Sequence, residues 1–403
     1  MINFKGIVAE FFFGMPVNLR RITSHAVFIP EIDGLRFLAI MPVIIFHFGE
    51  RWLRANSTPL TPASSSVSEI LTHFHIGVYI FFAVSGFILA LPFGASVLGK
   101  DKKVSFLKYY LRRVTRLEPP YIIIMTLLFI VLVIVKHQDF IKLLPHYGAS
   151  LLYIHRLVYG IWTPINPPAW TLEIEVQFYI LAPFLALGYF KIKPVPVRRI
   201  VLVTLICGKI FLYNLTTVFD PTFQTLPFSI EFFLIGILMA DIFLVDWKDG
   251  VKQHWIFDWI SLVSFIGLFV SWSWAKNMVM NIGFIICLFF TFYGSFRSVR
   301  VNKFLRNQWI TAIGGMCYTI YLLHLAFAEF FVAVWKHCLP SFSYLSRLGL
   351  GLVLFLPSLF IISSILFRLL EKPCMDTGWP GKLQSWLNSF RKEVRNERRR
   401  ALL

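Results

Sequence analysis

The chain has 403 residues, of which 57% are hydrophobic and 15% are charged, and it contains 43 phenylalanines. A soluble domain cannot bury that much apolar surface, so the composition excludes an ordinary soluble protein. The net charge of +18 does not indicate a nucleic-acid partner, because the lysines and arginines cluster in short loops beside apolar runs, as the positive-inside rule requires.

The predicted fold is all-α, a polytopic integral membrane bundle of about ten transmembrane helices. Residues 1–32 are predicted to form a cytoplasmic or interfacial N-terminal lead, residues 33–373 the membrane domain, and residues 374–403 a basic amphipathic tail on the cytoplasmic leaflet. The predicted spans are 34–50, 73–94, 119–137, 168–190, 197–215, 225–246, 255–275, 277–296, 309–336 and 347–371.

The loop charges predict the orientation. Basic residues concentrate between spans two and three, four and five, and eight and nine, which places both termini in the cytoplasm. The segment 138–167 also carries Lys142 and Arg156. We expect it to be an outer loop with a short re-entrant or interfacial helix near residues 141–158, because a spanning helix there would put the later basic loops on the wrong side.

The first span contains two ionisable residues whose burial in the membrane costs free energy. Arg36 and His47 are eleven residues apart, which on a helix is about 16 Å and almost three whole turns, so they lie on nearly the same face. Ionisable residues inside a membrane are expensive and usually functional.

Two further arginines precede the third span. Arg113 and Arg116 are three residues apart and share a helix face, and Pro119-Pro120 is predicted to fix the start of the span. With Arg36 they form a candidate inner arginine layer, suited to phosphates because the guanidinium is a planar fork. From spacing alone, ordinary positive-inside anchors are the favoured interpretation of Arg113 and Arg116.

Carboxylates and histidines are predicted near the outer surface. Glu173 and Glu175 open span four at roughly the depth of His47, and His324 falls in the outer half of span nine. The two glutamates are two apart and cannot share a face, so at most one is expected to meet His47. A neutral histidine held by a carboxylate is a general base suited to pH 7, or it can carry an acyl group itself.

The remaining signals are weaker. Ser85 and Gly86 in span two predict close helix packing. The five cysteines show no CxxC pair and no framework spacing, so neither a disulfide nor a metal site is expected. We also expect no permanently bound cofactor.

Together these motifs resemble the membrane acyltransferase-3 family, of the O-antigen acetylase type, from Asp33 to about Pro373. The resemblance is carried, in order, by Asp33-Gly-Leu-Arg36 followed by His47, Gly77 to Phe87, Tyr110 to Tyr121 with its two arginines, Trp170 to Tyr179, Tyr318 to His324, and Glu371-Lys-Pro373. The chain departs from the family pattern at Tyr79, Glu173 and Val176, which concern the acceptor side more than the core chemistry.

The resemblance implies an O-acyltransferase of the plasma (inner) membrane. It would move an acyl group, usually acetyl, from cytosolic acetyl-CoA as co-substrate to a hydroxyl of an envelope glycan or lipid-linked sugar. It implies catalytic roles for His47, Glu175 and Arg36, and binding of CoA phosphates by Arg36, Arg113 and Arg116. The supporting residues are Asp33, Ser85, Trp170, Glu173, Tyr179, Tyr318 and His324.

Three alternatives stay open at the level of sequence. His47 is either a general base or a covalent acyl carrier. The acyl group is acetyl, succinyl or another short acyl. In a different functional class, a transporter or flippase would use the same charged residues to line a path.

Overall fold

The computed structural model describes residues 16, 19–21, 28–55, 62–215, 225–272, 277–339, 341–376, 378–381 and 384–385. Within these ranges the regular elements are helices, which confirms the all-α prediction. Most of the predicted N-terminal lead and of the amphipathic tail lies outside the described residues. The cytoplasmic location of both termini stays a prediction.

The helices follow one another closely along the chain. In order they are α1 (Pro30–Ala55), α2 (Pro62–Thr72), α3 (Gly77–Val97), α4 (Phe106–Ile134), α5 (Phe140–Leu151), α6 (His155–Tyr159), α7 (Trp170–Lys191), α8 (Val195–Leu215), α9 (Leu226–Val245), α10 (Ile256–Ser271), α11 (Met278–Arg297), α12 (Arg300–Leu305), α13 (Gln308–Gly315), α14 (Cys317–Trp335), α15 (Tyr344–Leu366) and α16 (Lys372–Cys374). A π-helical turn, Phe367–Glu371, joins α15 to α16.

In the described part of the chain, eight helical segments are long and apolar enough to cross a membrane, and they contain α1, α3, α4, α7, α9, α11, α14 and α15. The protein is therefore a multi-pass membrane protein. The other two predicted spans also form helices. However, these two helices, α8 and α10, are not among the eight. Helix α8 carries Arg198, Arg199 and Lys209. Helix α10 has 16 residues and is about 24 Å long, which is shorter than a bilayer core.

The segment 138–167 contains two short helices, as the sequence predicts for a segment that does not span. The longer one, α5, has 12 residues and therefore extends about 18 Å. The Asp139 side chain caps it by accepting hydrogen bonds from the backbone N–H groups of Ile141 (2.9 Å) and Lys142 (3.2 Å).

Helix α4 corrects one prediction. It begins at Phe106 rather than at residue 119, so Pro119 and Pro120 lie inside the helix. Pro119 has no N–H to donate to the carbonyl of Thr115, and the indole Nε1 of Trp379 donates to that carbonyl instead, at 2.9 Å. This tertiary bond satisfies the carbonyl that Pro119 leaves without a donor, and Arg113 and Arg116 lie within the helix rather than before it.

The same arrangement recurs in α7. Pro183 leaves the carbonyl of Tyr179 without its helical donor, and the Tyr109 hydroxyl of α4 donates to it at 3.1 Å. The two proline sites therefore tie α4 to its neighbours, close to the predicted arginine layer.

Predicted span nine, residues 309–336, is two helices rather than one. Helices α13 and α14 meet at Met316. Gly314 lies so close to the backbone carbonyl of Asp33 in α1 that a Cβ atom there would overlap it. The interruption brings Gly315 and Cys317 against a cavity described below.

The centre of the bundle is packed through glycines. Gly86 of α3 lies against the backbone of Phe233 in α9, and Gly236 of α9 lies against the backbone of Ala83 in α3. Reciprocal small-residue contacts of this kind let helix backbones approach closely in a membrane. The packing predicted for Gly86 is thus confirmed, whereas its neighbour Ser85 faces elsewhere.

Candidate active site

A cavity of about 100 Å³ lies between α1, α3, α4, α7 and α14, and we call it the inner cavity. Seven of the site residues predicted from the sequence line it: Arg36, Ser85, Arg113, Arg116, Glu175, Tyr179 and Tyr318. Arg21, Tyr321 and Glu371, which are not among the site residues predicted from the sequence, line it as well.

A larger cavity of about 590 Å³ adjoins it, and we call this the basic vestibule. The two cavities share four arginines. The basic side chains that line the vestibule are Arg21, Arg36, Lys102, Lys103, Lys108, Arg112, Arg113 and Arg116, against the acidic Asp33 and Asp101. Such a concentration of positive charge favours a phosphate-bearing ligand.

Acidic partners hold the arginines in place. Arg36 Nη1 donates to Asp33 Oδ1 at 2.6 Å, and Arg21 Nε lies 3.7 Å from the same oxygen. Arg116 Nη2 lies 4.0 Å from Glu371 Oε1, and the other oxygen of Glu371 accepts a 2.6 Å hydrogen bond from the Thr319 hydroxyl. Asp33 therefore positions Arg36, consistent with the supporting role expected of it.

Arg113 is held by aromatic rings. Its guanidinium carbon lies 5.7 Å from the ring centroid of Tyr109 and 5.6 Å from that of Tyr179. Cation–π contacts of this kind hold the guanidinium of Arg113 beside the inner cavity.

Glu175 has partners other than the expected histidine. Its Oε1 accepts a 2.5 Å hydrogen bond from the Ser85 hydroxyl, and Tyr179 is a second hydrogen-bond partner. Glu175 is therefore not the glutamate expected to meet His47, because α7 directs this carboxylate into the inner cavity beside the arginines.

Glu173 points in a different direction, as its two-residue spacing from Glu175 requires. Its Oε2 accepts a 2.8 Å hydrogen bond from the backbone N–H of Arg156 in α6. The Arg156 guanidinium lies 4.0 Å from the ring centroid of Trp162, whose ring lies 5.4 Å from that of Trp170. Glu173 and Trp170 thus anchor the loop predicted to be outermost, and the hydrogen bond of Glu173 is made there rather than to His47.

The neighbour of His47 is His324, with ring centroids 5.0 Å apart. His324 is fully buried, and its Nδ1 lies 2.7 Å from the carbonyl oxygen of Tyr321. Because a carbonyl oxygen only accepts, Nδ1 must carry the proton, and the neutral ring keeps its lone pair on Nε2. Nε2 of His324 and Nδ1 of His47 are both buried without a hydrogen-bond partner among the described residues.

His47 is not among the residues that line the inner cavity. The link between the two is α14: Tyr321 lines the cavity, and its ring lies 5.4 Å from that of His324, which contacts His47. His47 therefore sits about one helical turn beyond the end of the cavity.

His75, which is not among the site residues predicted from the sequence, belongs to the same region. Its ring lies 5.8 Å from that of Phe46 and is stacked on Trp170 at 5.9 Å. The sequence could have indicated His75 by its position just before α3, at the same predicted end of the membrane as His47.

A second histidine pair lies in the loop between α4 and α7. Nδ1 of His146 and Nε2 of His155 are 2.8 Å apart. Burial, reinforced by the neighbouring His146, lowers the pKa of His155 to about 4. His155 is therefore neutral at pH 7, and its bond with His146 joins α6 to α5.

Comparison with known proteins identifies the family. The family model described as an acyltransferase domain matches residues 29–368. "O-acetyltransferase OatA" of Staphylococcus aureus (strain NCTC 8325 / PS 47) is 23% identical over 377 residues, covering 87% of this chain and 58% of that protein. "Putative O-acetyltransferase SACOL0978" of Staphylococcus aureus (strain COL) is 22% identical over 397 residues, covering 90% and 59% respectively. "Putative peptidoglycan O-acetyltransferase YrhL" of Bacillus subtilis (strain 168) is 29% identical over 188 residues, covering 42% and 26%.

The chain thus spans less than two thirds of the length of these relatives. No solved structure matches it. Since the family model covers residues 29–368 of the 403, the chain belongs to the membrane acyltransferase-3 family.

Proposed function

We propose that this protein is an O-acyltransferase of the plasma (inner) membrane. It transfers an acyl group, in the first instance acetyl, from acyl-CoA to a hydroxyl of an envelope glycan or lipid-linked sugar. The names of the relatives, one of which specifies peptidoglycan, support this substrate class. The observation that carries the proposal is that the basic vestibule adjoins the inner cavity, with Tyr321 at the cavity in ring contact with His324, the neighbour of His47.

The basic vestibule and the inner cavity together suit the acyl donor, CoA. CoA carries its phosphates at one end and its thioester at the other, joined by a thin, flexible arm. The basic vestibule, about 590 Å³, offers room and positive charge for the phosphates, with Arg36, Arg113 and Arg116 at its junction with the narrower inner cavity. The arm then extends the thioester into the inner cavity, toward Glu175 and Tyr321.

His47 serves the acceptor end. A hydroxyl that attacks an acyl carbonyl must lose its proton as the carbon–sulfur bond breaks and CoA leaves. A neutral imidazole takes that proton, or attacks the acyl carbon itself and passes the group on. His324 supports either role by setting which nitrogen of His47 carries hydrogen.

Mass spectrometry of envelope glycans tests the proposal. A strain that lacks the gene is complemented with the wild type, with His47→Ala, or with the exposed-residue control Lys303→Ala. We expect a base-labile acyl ester on one envelope glycan with the wild type and the control, and its absence with His47→Ala. The mass of the ester distinguishes acetyl from succinyl. Glycans that are identical with and without the gene would contradict the proposal.

A further inference from the structure

The Ser85 hydroxyl makes an unusual contact for a serine in a membrane helix. Serine hydroxyls in helices commonly turn back to a carbonyl of their own helix. Ser261 does so with Phe257 (2.6 Å), and Ser364 with Ile361 (2.8 Å). Ser85 instead reaches from α3 to α7, where it donates to Glu175 Oε1 at 2.5 Å.

The surroundings of this pair are those of a reactive group. Both side chains line the inner cavity, so a ligand in the cavity can contact them. The other aliphatic hydroxyl that lines it, on Thr171, is paired with the Tyr321 hydroxyl at 2.5 Å. Thr319 also donates to a carboxylate, that of Glu371, but Thr319 is buried and does not line the cavity.

A donor for developing negative charge is also in place. Arg116 lines the cavity, and its buried Nε has no hydrogen-bond partner among the described residues. Arg113 stands beside it on the ring of Tyr179. Preorganised cationic donors beside a hydroxyl–carboxylate pair are what the tetrahedral intermediate of acyl transfer requires.

We propose that Ser85 is the first acyl acceptor of this enzyme, with Glu175 as its general base. Ser85 Oγ attacks the thioester carbonyl carbon of acyl-CoA while Glu175 takes the hydroxyl proton. The carbon–sulfur bond breaks, the CoA sulfur takes the proton from Glu175, and CoA leaves as the free thiol. An acyl ester on Ser85 remains. When the acceptor hydroxyl later attacks that ester, the bond to Ser85 Oγ breaks and the proton of the acceptor replaces the one that Ser85 lost.

This inference rests on the proposed acyl-CoA-dependent function and gives it two half-reactions. Ser85 works at the donor end, and His47, beyond the cavity, works at the acceptor end. Loss of Ser85 therefore stops both half-reactions, whereas loss of His47 stops only the second.

Isotope exchange without any acceptor tests the first half-reaction. Purified protein is incubated with unlabelled acetyl-CoA and radiolabelled CoA, and label in acetyl-CoA is measured. We expect exchange by the wild type and by His47→Ala. We expect only the level of a protein-free control with Ser85→Ala and with Glu175→Gln, whose amide retains a hydrogen-bond acceptor but is no base. Ser364→Ala, which removes another buried serine hydroxyl, should exchange normally.

A trapping experiment locates the acyl group. Protein incubated with radiolabelled acetyl-CoA alone is quenched in acid, digested and analysed by mass spectrometry. We expect acetyl on the peptide that contains Ser85. In a second incubation, a glycan acceptor is present and acetyl-CoA is renewed. There we expect more acetyl on this peptide in His47→Ala than in the wild type, because the variant cannot pass the group on. Ser85→Cys guards against misfolding of Ser85→Ala, because a thiol is also a nucleophile, and it should form an acetyl thioester at the same position.

Several outcomes would overturn the role of Ser85. They are exchange by Ser85→Ala at the wild-type rate, acetyl found on His47 or another side chain instead, and a wild type that acetylates a glycan without catalysing exchange. The last outcome would leave the acyltransferase function intact and indicate direct transfer. A wild type that exchanges label but never acylates an envelope glycan would instead contradict the proposed acceptor while supporting Ser85.

Discussion

His47 and His324 face each other with their ring centroids 5.0 Å apart, and each has a buried nitrogen that lacks a partner among the described residues. The bond from His324 Nδ1 to the Tyr321 carbonyl leaves a lone pair on Nε2. An acceptor at this position favours the tautomer of His47 that carries its hydrogen on the nitrogen nearer to His324. The other nitrogen of His47 then keeps the lone pair that the proposed base needs. An imidazole thus stands where the sequence led us to expect a carboxylate.

Substitutions of His324 should separate two contributions. His324→Asn keeps a donor near the Nδ1 position for the Tyr321 carbonyl but has no acceptor at the Nε2 position. His324→Gln can place its amide oxygen there. We expect kcat to fall by about 10- to 100-fold in His324→Asn, by analogy with the loss of the outer hydrogen-bond partner of a metal-binding imidazole, and by less in His324→Gln. Acyl transfer by the purified variants measures this, and equal rates in the two would argue against a role in orienting His47.

Removing an arginine at the junction of the two cavities should weaken CoA binding. Each charge-assisted hydrogen bond contributes about 1.5–3 kcal/mol, so Arg113→Ala and Arg116→Ala should each raise the Kd for CoA about 10- to 100-fold. Isothermal titration calorimetry at two salt concentrations measures the change, and affinity should fall as salt rises.

The control for the arginines is Lys303→Ala, which removes a positive charge from an exposed position away from both cavities. It should leave the Kd unchanged. Wild-type affinity in both arginine variants would remove the arginine layer from the binding site.

The sequence predicts the features that depend on residues close together in the chain, and it fails where residues far apart in the chain make contact. Helix positions follow from apolar run length, and the structure has a helix at each of the ten predicted spans. Arg36, Arg113 and Arg116 converge because each lies at the same predicted end of its helix. Such features need only local periodicity and loop charge.

The errors arise where a distant residue changes the local outcome. Local sequence predicts that a helix begins at Pro119. In the structure the helix continues through Pro119, because Trp379 donates to the carbonyl that the proline leaves without a donor. Glu175 appears level with His47 when residues are counted along α7, yet it pairs with Ser85 of α3, and no local pattern records how two helices are rotated. The break at Met316 likewise depends on contact with α1.

A buried carboxylate at one end of the bundle should be important for stability rather than chemistry. Asp241 of α9 is fully buried and accepts hydrogen bonds from Arg198, from Arg199 (2.8 Å) and from Tyr189 (3.1 Å). Removing one partner of a buried charge network typically costs about 3–5 kcal/mol. Asp241→Ala should therefore lower the midpoint of thermal unfolding in detergent.

The matched variant is Asp246→Ala. The side chain of Asp246 is 43% exposed and pairs with Arg199 but not with Arg198. Its loss should lower the free energy of unfolding by less than about 1 kcal/mol and shift the midpoint far less than Asp241→Ala does. Equal shifts in the two variants would show that burial does not decide the contribution of this cluster.

Two glycine variants test the packing of α3 against α9. A Cβ at Gly86 would overlap the carbonyl of Phe233, so Gly86→Ala should destabilise the protein by about 1–3 kcal/mol through overpacking. A Cβ at Gly188 in α7 meets nothing within 4 Å, so Gly188→Ala should be neutral or stabilise by up to about 1 kcal/mol through helix propensity. Thermal unfolding of both variants checks this, and a stabilised Gly86→Ala would contradict the close approach of the two helices.

The most direct test of the whole account is transfer of labelled acetyl from acetyl-CoA to an envelope glycan by the purified protein in membranes. We expect label on the glycan with the wild type and none with His47→Ala, while both proteins insert and accumulate equally. Full transfer by His47→Ala would contradict the acyltransferase mechanism, and movement of unlabelled glycan across the membrane would point to a transporter instead.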